Sequence, residues 1–266
     1  MIKLIIQIIF VLILNFIISL IGTLAYCTRI VGVRIGKIAI TFAVFNILSL
    51  VSRVAVTFQT PILTKLVEYR SSGNYLITIF DLIIIVSGIA TVFAALLIPT
   101  FQKIFYKCVL CFSVDKSISK LMLYGFSKAG INYMRNSIAI PVKSNIRKIN
   151  LKKVPKKLTL YNLISVSLIT TGSLAPIYAG SLEPELRATC ITLSSIINGL
   201  AVILMSIFID PQLSIMTDDV IDNKCSEEDF CVCIFAMIGS KIIGTFAAIM
   251  LLIPFSYVVV YIARLI

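Results

Sequence analysis

The sequence has no histidine and no tryptophan, and its 12 acidic residues are outnumbered by 24 Lys and Arg. Without histidine, the chain lacks the commonest general base and the Ser-His and Cys-His nucleophile pairs. Membrane phosphatases that depend on histidine are therefore excluded. The glycine-rich motif that binds ATP phosphates, G-x-x-x-x-G-K-[ST], is absent as well, which excludes ATP hydrolysis by that route.

Apolar residues are abundant: 59% of the 266 residues are hydrophobic and only 14% are charged. This composition lies far outside the average for soluble proteins and predicts a polytopic membrane protein. Each apolar run is close to the roughly 20 residues that a helix needs to cross the hydrocarbon layer. We therefore predict an all-α membrane helix bundle of about six transmembrane helices. The predicted spans are Leu4 to Tyr26, Ile38 to Thr64, Tyr75 to Ile98, Leu158 to Ala179, Ala188 to Ile209 and Phe230 to Ile262.

The distribution of Lys and Arg predicts the orientation of the chain, because basic residues collect in cytoplasmic loops. The loop expected after the first span carries Arg29, Arg34 and Lys37, and the stretch 101–157 carries 13 Lys or Arg against one acid. Both should be cytoplasmic, so both termini of a six-span chain should face outward. The predicted divisions are a first three-span half (1–100), a basic cytoplasmic or interfacial segment (101–157) and a second three-span half (158–266).

The basic segment ends in the polybasic sequence KSNIRKINLKKVPKK. Such a cluster can bind anionic membrane lipids, at about 1 kcal/mol per basic residue near the surface. Alternatively, it serves only as a topological anchor. In either case we attribute the formal charge of +12 to basic residues that lie at the membrane surface, and we expect no nucleic-acid partner. No cofactor and no metal site are expected, because the acids lack the ligand spacing of a calcium loop and the cysteine pairs lie far apart in the sequence.

Arg53 is the most informative residue of the chain, because it lies near the middle of the apolar run 38–63. A cation at the bilayer centre costs about 3 kcal/mol or more, so such a residue usually faces a cavity or a partner. Helical spacing from Arg53 places Asn46, Ser49 and Thr57 on the same face of the helix. This polar stripe predicts a substrate-binding groove. The alternative is an arginine that closes a structural ion pair or extends to the interface.

Three polar residues in other spans extend this prediction. Asp81, in the outer part of the third span, could form an ion pair with Arg53 or serve as a proton site. Lys241, in the sequence GSKIIGT of the last span, and Asn198 of the fifth span are predicted to bind substrate. Spans two and five each carry an asparagine and end at a proline, a weak similarity that favours an inverted 3+3 repeat.

Four stretches of the chain resemble the Amj family of bacterial lipid II flippases: IGTLAYCTRIVGVRIGKIAI, FNILSLVSRVAVTFQTP, PELRATCITLSSIINGLAVILMSIFIDPQLSIMTDDVI and IGSKIIGT. The resemblance covers most of both membrane halves and is loosest between residues 101 and 157. It implies transfer of lipid II, an undecaprenyl-pyrophosphate-linked precursor, from the inner to the outer leaflet of the bacterial plasma membrane. That transfer would serve peptidoglycan synthesis, cell wall biogenesis and cell shape, as an alternate to the MurJ flippase. The family supplies no established catalytic residue.

The residues of this chain suit such a substrate, since a pyrophosphate and a sugar-peptide head cannot cross hydrocarbon unaided. The planar guanidinium of Arg53 could bind phosphate oxygens, and Lys241 could hold them in the inner half of the membrane. We therefore expect a transporter and not an enzyme. Two rival functions stay open: a membrane enzyme acting on a polyprenyl phosphate, and a non-transporting scaffold in which the embedded charges only join helices.

Overall fold

The structure, a computed structural model, describes residues 2–69, 73–115, 127–139 and 154–266, and within these ranges it contains helices and short connections but no strand. The elements in chain order are α1 (Ile2–Ile35), α2 (Ile38–Tyr69), α3 (Gly73–Asp115), α4 (Lys128–Asn136), α5 (Lys156–Leu182), a 3-10 turn (Pro184–Leu186), α6 (Arg187–Thr192), α7 (Ser194–Leu204), a π-helical turn (Met205–Ile209), α8 (Asp210–Ile221) and α9 (Glu227–Leu265).

Six helical stretches in the described ranges are long and apolar enough to cross a membrane, which confirms the prediction of an all-α, six-span bundle. Five of them consist of a single helix each, namely α1, α2, α3, α5 and α9. The fifth in chain order, hereafter the fifth span (Pro184–Ile221), is assembled from the 3-10 turn, α6, α7, the π turn and α8. The inverted repeat stays a prediction.

Several helices extend beyond the predicted spans. The apolar run of α1 continues to Ile35, so Arg29 lies inside the helix and its predicted placement in a loop is wrong. The connection between α1 and α2 is reduced to Gly36 and Lys37, and Gly36 adopts a φ of 69°, which glycine tolerates without strain. Helix α3 continues to Asp115 and therefore crosses the predicted domain division at residue 100.

The helices pack as two groups, one of α1 to α3 and one of α5 to α9, and the division of the chain into halves stays a prediction. In the first group α1 packs along α2 and α3, and in the second group α5 packs along α9 and α7. The groups meet where α1 and α3 contact α9 and where α2 and α3 contact α5. One apolar core, around Ile30, Ile98 and Phe230, lies where α1 ends and α9 begins, and another, around Phe80 and Tyr178, lies towards the other end. A polar region is left between these two cores.

The basic segment is described only in part. Helix α4 begins at Lys128 after an N-cap in which Ser127 Oγ accepts a hydrogen bond from the backbone N–H of Gly130, and it is followed by a contact between Thr100 and the backbone of Ala139. Most of the polybasic sequence KSNIRKINLKKVPKK lies outside the described residues. Its predicted interaction with anionic lipids therefore stays a prediction.

Candidate functional site

A cavity of about 400 Å³ lies between the two helix groups. Helices α1, α2 and α3 line it on one side, and α5, the fifth span and α9 line it on the other. Its wall combines apolar side chains with an unusual number of polar ones for the interior of a membrane bundle. The polar lining residues are Asn15, Ser19, Tyr26, Arg29, Ser52, Gln59, Thr60, Ser87, Thr91, Thr170, Ser173, Asn198, Asp210, Lys241 and Thr245.

Helix α1 contributes a continuous stripe to this wall, formed by Asn15, Ser19, Gly22, Tyr26 and Arg29. These residues are three or four positions apart and therefore share one face of the helix. At roughly 1.5 Å per residue the stripe extends over about 21 Å. Since the hydrocarbon core of a bilayer is about 30 Å thick, the cavity covers much of the depth that a polar group must cross.

At one end of the stripe, an amide network joins the three helices of the first group. The side-chain amide of Asn15 donates to the backbone carbonyl of Ile83 at 2.9 Å and to the hydroxyl of Ser87. Gln59 Nε2 in turn donates to Asn15 Oδ1 at 3.4 Å. Buried polar groups that are paired in this way hold helices together in a membrane interior, so this wall of the cavity is fixed by α1, α2 and α3 together.

Lys241, which the sequence predicted to bind substrate, lines the middle of the cavity wall. Its Nζ is 5.8 Å from the centroid of the Tyr26 ring, and a Cβ on Gly22 would lie 3.1 Å from the same atom. Among the described residues, no carboxylate oxygen lies within 4.0 Å of the Lys241 Nζ, the distance at which the two would form an ion pair. The absence of a side chain at Gly22 leaves the space that Lys241 occupies.

A buried asparagine supports this part of the wall. Tyr26 donates its hydroxyl proton to Asn162 Oδ1 at 3.3 Å, and Asn162 Nδ2 donates to the backbone carbonyl of Met237 at 2.8 Å and to Ser240 Oγ at 2.7 Å. These bonds connect α1, α5 and α9 one helical turn from Lys241. The position of the Tyr26 ring is therefore set by both helix groups.

Arg29 is the second cation of the cavity, and the sequence reasoning missed it. Its Nη2 donates to Asp210 Oδ1 at 2.8 Å, and its guanidinium carbon lies 5.3 Å from the Phe42 ring centroid and 5.9 Å from that of Phe45. The other terminal nitrogen, Nη1, is buried without a hydrogen-bond partner. The signal was present in the sequence, because Arg29 continues the helical spacing of Tyr26 and Gly22 within an unbroken apolar run.

Asn198 lines the same cavity from α7, so the structure brings this predicted residue together with Lys241. Its Oδ1 is buried and has no hydrogen-bond partner. Gly172 of α5 faces it closely, since a Cβ there would lie 2.9 Å from that oxygen. An unsatisfied acceptor in a cavity wall is suited to a ligand that carries hydroxyl or amide donors.

The polar stripe predicted on α2 reaches the cavity at Thr60, but its four proposed substrate-binding residues do not line the cavity. Arg53, Asn46 and Thr57 are exposed and Ser49 is half-buried. Asp81 is half-buried on α3, is outside the cavity as well, and forms no ion pair with Arg53. The helical spacing correctly placed the four α2 residues near one another, but it could not identify the neighbour that they face.

The charges of the cavity favour an anionic ligand. Arg29 and Lys241 contribute two cations against the single carboxylate of Asp210. In a low-dielectric interior an excess positive charge attracts an anion strongly. Among the described residues no group of three or more Cys, Asp or Glu side chains is placed to hold a metal ion. The arrangement can thus hold phosphate oxygens through cations of the protein itself.

Comparisons with known proteins agree over nearly the whole chain. A family model described as Amj, alternate to MurJ, matches residues 14–263. A protein of Bacillus subtilis (strain 168) named lipid II flippase Amj is 30% identical over 263 residues, which is 97% of each chain. No solved structure matches. With six candidate spans and a family match that includes all of them except the start of the first and the last two residues of the sixth, this multi-pass membrane protein belongs to the Amj family.

Proposed function

We propose that this protein is a lipid II flippase, a transporter that moves the undecaprenyl-pyrophosphate-linked peptidoglycan precursor from the inner to the outer leaflet of the bacterial plasma membrane. Membership of the Amj family and the name of the Bacillus relative support this substrate. The observation that carries the proposal is the Lys241 ammonium, which lines a cavity between the helix groups and has no carboxylate partner among the described residues. A cation of this kind is suited to an anionic ligand that comes and goes.

In this proposal the pyrophosphate lies between Lys241 and Arg29, which are the two cations of the cavity. The sugar and peptide groups meet the unsatisfied oxygen of Asn198 and the Ser and Thr hydroxyls of α5, which replace water along the path. Two cations are enough to compensate part of the phosphate charge. Release at the other leaflet requires that binding stay moderate, so a small number of fixed charges suits transport.

The polyprenyl tail needs a route that stays in lipid while the headgroup is in the cavity. Val56 of α2 and Val202 of α7 line the cavity and are nevertheless 38% and 50% exposed. Helix α2 packs against α1, α3 and α5 but makes at most isolated close approaches to the fifth span. We propose that the tail leaves the cavity through this lateral slot between α2 and the fifth span.

The predicted α2 residues fit the rim of that slot. Successive residues of α2 are 100° apart around the helix axis, so Arg53 lies 100° from the cavity-lining Ser52 and Thr57 lies 100° from the cavity-lining Val56. Both point away from the side on which Leu66 is buried. A cation at the rim meets the pyrophosphate as the lipid enters or leaves. We therefore keep Arg53 and Thr57, with Asn46 and Ser49 beside them, as proposed substrate contacts, and Asp81 as a proposed proton site.

The orientation follows from the distribution of positive charge. The end of the bundle where α1 ends and the basic segment is attached is proposed to be cytoplasmic, because Lys and Arg collect there. Both termini then face outward, and the polybasic sequence lies where anionic headgroups of the inner leaflet are available. In this proposed orientation Arg29 lies towards the cytoplasmic end of the cavity and Lys241 lies nearer to its middle.

The proposal is tested with the full-length protein in liposomes that carry labelled lipid II in one leaflet. We expect transfer of intact lipid to the other leaflet, slowed at least about tenfold by Lys241→Gln, since a buried charge contact to phosphate is lost. Arg264→Gln is the matched control, because Arg264 is exposed and pairs with Glu183 away from the cavity. Chemical turnover of the lipid would favour the membrane enzyme, and neither transfer nor turnover would favour the scaffold.

A further inference from the structure

We infer that Asp210 is an internal counter-anion that holds Arg29 until the pyrophosphate of the substrate displaces it, so that substrate binding breaks an ion pair between the two membrane halves. The inference rests on the proposed function for the identity of the ligand. It assigns a role to two residues, Arg29 and Asp210, that touch each other in the cavity wall.

Asp210 leaves part of the hydrogen-bonding capacity of the Arg29 guanidinium unused. A guanidinium carries five N–H donors in a planar fork, and the structure pairs Nη2 with Asp210 Oδ1 at 2.8 Å while Nη1 is buried without a partner. Phe42 and Phe45 flank the guanidinium and offer no acceptor for that donor. A pyrophosphate presents several oxygens on one group and can accept from both nitrogens at once, which a fork of this shape favours.

The two partners of this ion pair, Arg29 and Asp210, differ in how deeply they are buried. The side chain of Arg29 is 8% exposed, whereas that of Asp210 is 50% exposed. Arg29 cannot be left alone in its position, because an uncompensated buried charge is strongly unfavourable. Asp210 can be released, because half of its side chain is already exposed. The exchangeable partner is therefore the acid, and the fixed partner is the arginine.

The position of Asp210 in the chain also favours its release. It is the first residue of α8 and directly follows the π-helical turn Met205–Ile209. π turns are rare and are found frequently at functional sites. Release of Asp210 thus frees the start of α8 directly beside this irregular turn. Because Arg29 belongs to α1, the broken ion pair is one that had joined the two helix groups.

A second ion pair between the same groups provides a control. Arg34 Nε donates to Glu227 Oε1 at 2.6 Å, again from α1 to the second group, but both side chains are exposed and neither lines the cavity. A pyrophosphate bound in the cavity can replace Asp210 but not Glu227. Asp210 and Glu227 each join the second helix group to an arginine of α1. We nevertheless expect that only the loss of the Asp210 carboxylate changes the affinity for the ligand.

The test measures binding of undecaprenyl pyrophosphate to the full chain in nanodiscs. Asp210→Asn removes the competing charge and should bind the lipid roughly tenfold more tightly than the wild type, as expected when one member of a close charge pair competes with the ligand. Glu227→Gln should change affinity by less than about threefold, because it removes an exposed ion pair. Equal affinities for the wild type and Asp210→Asn, or an equal gain in both variants, would show that no such exchange takes place.

A double variant covers the case in which Asp210→Asn folds poorly because Arg29 is left unpaired. Arg29→Gln combined with Asp210→Asn leaves no buried charge at this position and should be recovered in the membrane. It should bind undecaprenyl pyrophosphate at least about tenfold more weakly than the wild type, and wild-type affinity would overturn the role of Arg29. If the wild type itself did not bind this lipid, the proposed function would fail and the exchange with it, whereas binding without the difference between variants overturns the exchange alone.

Discussion

Lys241 and Tyr26 face each other across the boundary between the two helix groups, with the ammonium nitrogen 5.8 Å from the ring centroid. The ring is held in place because the Tyr26 hydroxyl donates to Asn162 on α5. The cation of α9 is thus stabilised by an aromatic face of α1, and no carboxylate of the residues that the structure describes pairs with it. An aromatic face lowers the cost of the charge without neutralising it, so the charge stays available to an anion.

The Tyr26 ring should matter more for transport than its hydroxyl does. Tyr26→Leu removes the aromatic face and should slow lipid II transfer severalfold, because a partly desolvated cation–π contact contributes about 0.5 to 2 kcal/mol. Tyr26→Phe keeps the ring and should transfer lipid at close to the wild-type rate. Both variants are measured in liposomes at equal protein content. A defect of the same size in Tyr26→Phe would mean that the hydrogen bond to Asn162, and not the ring, is what transport requires.

Arg53→Lys tests the proposed rim contact. Lysine keeps the positive charge but loses the planar fork that binds two phosphate oxygens, so transfer should be markedly slower at normal protein abundance. Arg264→Lys, at an exposed position away from the cavity, is the control and should transfer at the normal rate. Membrane levels are measured beside the rates. Normal rates for both Arg53→Lys and Arg53→Gln would remove Arg53 from the proposed path.

Two glycines of α9 should differ in their tolerance of alanine. A Cβ on Gly244 would lie 2.7 Å from the backbone oxygen of Leu163 on α5, whereas a Cβ on Gly239 would meet nothing within 4 Å. Gly244→Ala should therefore destabilise the protein by about 1 to 3 kcal/mol through overpacking against backbone that cannot move aside. Gly239→Ala should leave stability unchanged or raise it slightly, because alanine favours the helix. Thermal unfolding in detergent compares the two, and equal midpoints would mean that α5 and α9 do not pack this closely.

The orientation of the chain can be tested at two exposed connections. In a variant without native cysteines, a cysteine at Lys224, between α8 and α9, should be protected from an impermeant thiol reagent in intact cells. A cysteine at Glu185, in the 3-10 turn that begins the fifth span, should react. Permeabilised cells serve as the control in which both positions react. The reverse pattern would place the basic segment outside and invert the proposed direction of the cavity.

The number of spans could be predicted from sequence because membrane-spanning runs are set by a length requirement that individual residues hardly alter. The ends of the helices could not be predicted as well. Arg29 and Arg34 were assigned to a loop, although a helix satisfies its own backbone groups and can continue past the predicted end of the span at Tyr26 as far as Ile35. The pairing of Arg29 with Asp210, 181 positions further along the chain, is likewise seen only in the structure.

The candidate site was predictable to a different degree for each residue. Lys241 and Asn198 were predicted to bind substrate because an embedded polar group needs a polar partner or space, and both line the cavity, while their binding of substrate stays a prediction. The same reasoning applied to Arg53 gave the face of α2 but not the direction of that face, since direction depends on which helices pack on either side. Distances between side chains that are remote in sequence, such as Lys241 and Tyr26, cannot be derived from spacing within one helix.

The two-residue connection at Gly36 and Lys37 also restricts how this bundle can move. With so short a tether, α1 cannot shift along its axis or tilt without carrying the start of α2 in the same direction. Helix α1 holds Arg29, and α2 forms one edge of the proposed slot for the polyprenyl tail. The two helices should therefore move together. In the proposed transport cycle, a displacement of α1 caused by a headgroup at Arg29 also moves the start of α2 and changes the width of the slot proposed for the polyprenyl tail.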